Sequence, residues 1–143
     1  MSKNETVLAA SEEFYSALNS VFNKDPNPMS EIWLHSDEVT AMRPNGGREV
    51  GWEALWAAWK KVAEVFEGGT VEMTERVIVT AGEFAYEIGL EKGIFYPGGN
   101  EVEVAHRGTN IYRRVGGTWK IVHHHTDKSD GAIAVFKSLE PQR

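Results

Sequence analysis

The sequence predicts an α+β fold, a cone-shaped, curved antiparallel sheet wrapped around N-terminal helices. Three observations carry this. Helical periodicity is confined to the first half of the chain. From Val71 onward the pattern becomes alternation, in four runs joined by glycine-containing turns. Several of those runs are long, and long twisted strands curl around what they cover. The chain has 143 residues and is expected to form one domain over residues 1–143, with a core spanning 5–128 and a less patterned tail at 129–143.

Val7, Ser11, Phe14, Leu18, Val21 and Phe22 recur at helical spacing, and Asp25-Pro26-Asn27-Pro28 stops that helix. A short helix or turn follows with Met29, Ile32 and Trp33. Glu38 to Met42 is a short extended run, and Pro44-Asn45-Gly46-Gly47 is a loop by composition. Trp52, Leu55, Trp56, Trp59, Val62 and Phe66 mark one face of a second helix, which Gly68-Gly69 is expected to end. Alternation then predicts four strands. Their apolar sides are Val71, Met73, Val77 and Val79; Phe84, Tyr86, Ile88 and Leu90; Val102, Val104, His106, Asn110 and Tyr112; and a last run from Trp119 to Thr126. On this parity Glu87 and Glu91 point outward and read as surface charge. Three turns between four runs give an antiparallel meander, and helices covering one side leave a pocket beneath them.

Hydrophobic residues make up 41% of the chain and charged residues 25%, as in a globular domain. With 15 basic and 21 acidic residues the net charge is −6, which disfavours nucleic acid and anionic membrane surfaces. There is no cysteine, so disulfides and thiolate chemistry are excluded. No signal-like segment or membrane-length apolar run is present, and a cytoplasmic protein is expected. Nothing in the sequence calls for a cofactor.

Ser36-Asp37-Glu38-Val39-Thr40, Arg43-Pro44-Asn45-Gly46-Gly47, Gly51-Trp52-Glu53-Ala54-Leu55 and Trp59 resemble the SnoaL-like branch of the nuclear-transport-factor-2-like superfamily. Gly117-Thr118-Trp119-Lys120-Ile121-Val122-His123-His124-His125 is similar to the last strand of the calmodulin-dependent kinase association domain. The resemblance runs from about residue 5 to residue 128. It implies a cystatin-like, ketosteroid-isomerase-like cone and frequent homodimers. It does not fix a reaction, because one fold hosts many functions. Aligned on ketosteroid isomerase, the catalytic tyrosine falls on Phe14, the base on Arg43 and the buried acid on Asn110, so that mechanism is not expected in its usual form. Tyr15 stands one position from Phe14.

Candidate catalytic groups are therefore imidazoles. His106 shares the inward parity of its strand with Asn110, and kinship with the association domain favours an inward His124 on the last strand. A bulge in that strand would reverse the choice. Tyr15, Trp33, Arg43, Asn110, Tyr112 and Thr126 are candidate ligand contacts. Arg43 would clamp a carboxylate or pair with Glu38 or Glu49. No metal site is assigned, the weak alternative being His123, His125 and Asp127 on one strand face. Three functions stay open: a homodimeric pocket for a small hydrophobic or carboxylate-bearing metabolite, an isomerase, cyclase or dehydratase using His106 or His124, and a structural or oligomerisation module.

Overall fold

A computed structural model describes residues 5–140. Helix α1 spans Val7–Phe22, capped by the Thr6 hydroxyl accepting from the Ala9 N–H, and α2 spans Asn27–Ile32 with proline in its first turn. Two short strands follow, β1 (Thr40–Met42) and β2 (Arg48–Val50), then α3 (Trp52–Val65). The long strands are β3 (Phe66–Ala81), β4 (Phe84–Pro97), β5 (Val102–Val115) and β6 (Thr118–Thr126). The tail forms α4 (Asp130–Ser138), capped by Ser129.

All six strands join one sheet in the order β2-β1-β6-β5-β4-β3. The expected meander is present from β3 to β6. The one departure from antiparallel pairing is β1, which runs parallel to β6 with Ala41 opposite His124. Helices α1 and α3 lie in the concavity. Phe14, Leu18, Val21, Leu55, Trp59 and Val62 bury their side chains there. These apolar side chains are the largest favourable term in the fold, each contributing roughly 1.5–3 kcal/mol of burial.

Three expectations need correction. Helix α3 ends at Val65, and Phe66 opens β3, where it stacks on Phe22 at 4.8 Å and meets Phe95 edge-on. Gly68 and Gly69 thus lie inside β3 at positive φ, beside a register shift. The outward face of the sheet is also richer in apolar residues than expected. Val71 and Met73 point inward, but a bulge between Thr74 and Val77, with Glu75 at φ 53°, turns Val77 and Val79 to the outside. Strand β4 shows the parity opposite to that expected. Ala85, Glu87, Glu91 and Phe95 are buried, while Phe84 is 51% and Tyr86 45% exposed.

Strand β6 carries the second decisive bulge. Its register slips between Ile111 and Tyr112 on β5, whose partners are His123 and Ile121. Val122 is the extra residue. Trp119 and Ile121 therefore point inward, and so do His124 and Thr126, two sets that a regular strand would place on opposite faces.

The β3 bulge holds a non-glycine residue in the left-handed region, which costs about 1–2 kcal/mol. Glu75→Gly is expected to raise stability by roughly 0.5 kcal/mol, the relief being partly offset by glycine's freedom in the unfolded chain. Glu75→Val is expected to cost about 1–2 kcal/mol, since a β-branched residue is an outlier there. Urea unfolding midpoints at constant slope check both.

Candidate functional site

Ser11 and Tyr15 lie one turn apart on the buried face of α1. Glu87 and Glu91 lie four apart on the inward face of β4. The two pairs meet. Ser11 Oγ donates to Glu87 Oε2 at 2.6 Å, and Tyr15 OH donates to Glu91 Oε2 at 2.7 Å. Arg76, turned inward by the β3 bulge, donates through Nε to Glu87 Oε2 at 3.0 Å. From β5, Asn110 Nδ2 and Tyr112 OH donate to Glu87 Oε1 at 2.9 and 2.8 Å. A fully buried carboxylate is costly, and this one is matched by a guanidinium and three neutral donors.

The network continues toward β6. Asn110 Nδ2 also donates to Tyr15 OH at 3.0 Å, and its Oδ1 lies 2.6 Å from His124 Nδ1. His124 Nε2 is 3.9 Å from Glu91 Oε2, and His106 Nδ1 is 3.8 Å from Glu91 Oε1. Both gaps exceed a hydrogen bond. Both ring nitrogens of His106 are buried without a partner, as are Trp59 Nε1 and Thr126 Oγ1. Buried polar groups are normally satisfied, and these four atoms find no partner among the described residues.

A cavity lies beside these groups. Glu91, His106, His124 and Trp59 form its polar end; Leu18, Phe22, Val62, Phe66, Val71, Phe95 and Val104 form its walls. Arg43, Pro44, Asn45, Ala132 and Phe136 complete the lining. It has about 40 Å³ of room for the centres of water-sized molecules, within about 480 Å³ of empty space that includes its mouth. The lip is a hairpin rather than a loose loop. Arg43 is clamped to Glu49 by two bonds of 2.7 and 3.0 Å, and the Ser129 N–H donates to the Pro44 carbonyl, tying the lip to the start of α4.

Burial sets the protonation of the site. It lowers His124 to about 4, against the raising effect of Glu91, so its ring carries a single proton at neutral pH. Burial and the adjacent carboxyl groups raise Tyr15 and Tyr112 well above the phenolic range, which keeps both hydroxyls as donors.

The residues singled out from sequence divide clearly. His106, His124 and Arg43 line the cavity. Tyr15, Asn110 and Tyr112 form the hydrogen-bonded layer behind it, and Thr126 is buried on the inward face of β6. Trp33 does not reach the cavity; it packs in the core with its indole N–H toward Met29 Sδ at 3.2 Å. Arg43 is committed to Glu49. The tyrosine of the network is Tyr15, one position after the aligned Phe14. His123 Nδ1 meets Thr40 Oγ1, and Asp127 is held by Arg107 at 2.9 Å rather than joining the histidines. Among the described residues, no cluster of three His, Cys, Asp or Glu side chains could hold a metal.

Glu87 and Glu91 were the missed residues, read as surface charge. The signal was on α1. Two polar side chains, Ser11 and Tyr15, on an apolar stripe need buried partners, and the two carboxyls of β4 share one face of their strand.

The architecture is a curved six-stranded sheet closed by helices over a mostly apolar cavity, which carboxyl and imidazole groups also line. The chain belongs to the SnoaL-like domain family, whose sequence profile matches residues 7–126. No curated protein matches it. Among solved structures it is similar to a protein from Streptomyces avermitilis, provisionally named a dehydratase of the NTF2-like family. That match has 21% identity and a TM-score of 0.76 over 87% of this chain and 94% of that one. It is also similar to a protein from Thiobacillus denitrificans, provisionally named a calcium/calmodulin-dependent protein kinase type II association domain. Here identity is 22% and the TM-score 0.72, over 91% of this chain and 100% of that one. A Caulobacter vibrioides protein with a cystatin-like fold matches at 18% identity and TM-score 0.71, over 90% of each chain. These likenesses establish the fold. Among the described residues, no helix is long and apolar enough to cross a membrane.

The depressed His124 has a consequence for stability. Unfolding lets it take up a proton near its ordinary 6.5, while the folded ring resists down to about 4. Its contribution is therefore complete above 6.5 and lost as pH falls toward 4. Between about pH 7 and about pH 5 this amounts to roughly 2 kcal/mol. His124→Gln is expected to flatten the stability profile by that amount, read from urea unfolding at both pH values.

Proposed function

We propose that the cone binds a small, neutral, mostly apolar molecule and that His106 and Glu91 move a proton on it, as an isomerase or dehydratase does. One observation carries the reading: His106, buried in the cavity wall, has neither ring nitrogen partnered and stands 3.8 Å from the Glu91 carboxyl. An imidazole beside a carboxyl, both buried in the cavity wall, can take a proton from one atom of a ligand and return it to another. The apolar walls supply binding. The size of the cavity favours a compact ligand, one ring or a short chain. A carboxylate-bearing ligand is disfavoured, because Arg43 is already paired and Glu91 faces the cavity. The relative named a dehydratase is consistent with this chemistry. The cysteine-free, acidic composition supports a cytoplasmic location.

A second reading concerns assembly and is compatible with the first. The convex sheet carries Val77, Val79, Phe84, Tyr86 and Ile88, each 40–51% exposed. Register places Val77 opposite Ile88 and Val79 opposite Tyr86, so these side chains form one patch. A contiguous apolar patch on a sheet marks an interaction surface. A second copy fits it, because an apolar face about a two-fold axis complements itself. The relative named an association domain supports this.

Two measurements test these readings. In thermal melts, neutral cyclic ketones, enones or alcohols are expected to raise the melting temperature by several degrees at saturation, and aromatic acids are not. Bound ketones are expected to take up deuterium from heavy water with the wild type, and at least about a hundredfold more slowly with His106→Ala or Glu91→Gln. A screen in which no neutral compound shifts the melt ends the pocket reading. For assembly, sedimentation should give twice the chain mass for the wild type and a monomer for Tyr86→Lys with Ile88→Lys. A monomeric wild type refutes the dimer.

A further inference from the structure

The hydrogen bonds around Asn110 have a direction, and the direction is set far from the cavity. Both oxygens of Glu87 are occupied by donors: Arg76 and Ser11 on Oε2, Tyr112 on Oε1. The Asn110 group 2.9 Å from Oε1 must then be its NH₂, since an amide oxygen there would face a carboxylate oxygen. The other hydrogen of that NH₂ goes to Tyr15 OH, which passes its own hydrogen to Glu91. Only the amide oxygen remains for His124, 2.6 Å from Nδ1, and an oxygen acceptor requires a proton on that nitrogen. The ring holds a single proton, because burial keeps it neutral. Nε2 is therefore a bare lone pair, 3.9 Å from Glu91 Oε2 in the cavity wall.

We propose that Glu87 is a positioning residue that fixes the His124 proton on Nδ1 through the Asn110 amide, so that His124 Nε2 and Glu91 form a paired acceptor for a ligand hydroxyl. Two acceptors 3.9 Å apart do not bond to each other. They leave room for a hydroxyl hydrogen, so this pair favours an alcohol, a phenol or the enol form of a bound ketone over the ketone form itself. This ligand half rests on the pocket reading above. The tautomer half does not.

The test is nitrogen-15 NMR of the ring nitrogens in the whole chain. The wild type is expected to show a protonated Nδ1 and an unprotonated Nε2 on His124. Glu87→Gln is expected to reverse them. Its amide oxygen stays with Arg76, its NH₂ faces Asn110, the Asn110 amide turns over, and His124 Nδ1 becomes the acceptor. A packing role alone would not move that proton. An Nε2-protonated wild type, or a folded Glu87→Gln that keeps the proton on Nδ1, overturns the proposal. If Glu87→Gln does not fold, the wild-type spectrum decides. The same samples are titrated with phenol and toluene, similar in size and differing in the hydroxyl. The ratio of phenol to toluene affinity is expected to fall roughly tenfold from wild type to Glu87→Gln, the loss of one buried hydrogen bond. An unchanged ratio overturns the ligand half. If neither probe binds, the pocket reading is what fails, and the tautomer result stands or falls separately.

Discussion

The buried carboxylate of Glu87 is the constraint on which the rest of the interior depends. It is fully buried and takes donors from α1, β3 and β5 while sitting on β4. Removing one partner from such a group leaves a charge without compensation, at a cost of about 3–5 kcal/mol. The arrangement is therefore cooperative: helix, bulge and two strands must all be in register for any of the bonds to form well. Only replacing the carboxylate together with its donors by apolar groups of the same shape would avoid that cost. What they would not supply is a direction for the hydrogen bonds that reach Asn110, Tyr15 and His124.

Much of this was legible in the sequence, and the places where it was not have two causes. Strand β5 reads correctly because its inward residues, Val102, Val104, His106, Asn110 and Tyr112, are the more apolar set, and its outward residues include Glu103, Arg107 and Arg113. Strand β4 misleads because both of its faces are committed. Most of its larger apolar side chains lie outside, in the patch around Tyr86, and its inner face carries small residues, two carboxyls and Phe95. A rule that sends the oilier parity inward fails whenever the outer face has work of its own. Ser11 and Tyr15 held the information that would have corrected it, but only when read together with Glu87 and Glu91.

Bulges account for the remaining surprises. Parity carries along a strand only while the pairing is regular, and one extra residue inverts everything beyond it. In β3 the inversion brings Arg76 inside and sends Val77 and Val79 out. In β6 it lets Ile121 and His124 share the interior. Neither bulge has a glycine at its turning point, Glu75 and Val122 standing there instead, so neither announces itself in the sequence. Both serve the same site: one delivers the cation for Glu87, the other the imidazole beside Glu91.

The outcome is a cavity with a sharp division of labour. Its walls are aromatic and aliphatic, its lip carries Arg43 and Asn45, and Glu91, His106 and His124 stand together in the lining. A ligand there can be oriented by a few contacts, because the walls make no hydrogen bonds that compete. Glu91 is held from behind by Tyr15 and His124 by Asn110, and both holders trace back to Glu87. His106 is the exception, held by packing alone against Phe95 at 6.4 Å between ring centroids. In the proposed reaction a group fixed in place but free in its hydrogen bonds would exchange the proton together with Glu91, and His124, fixed in both, would hold the molecule still.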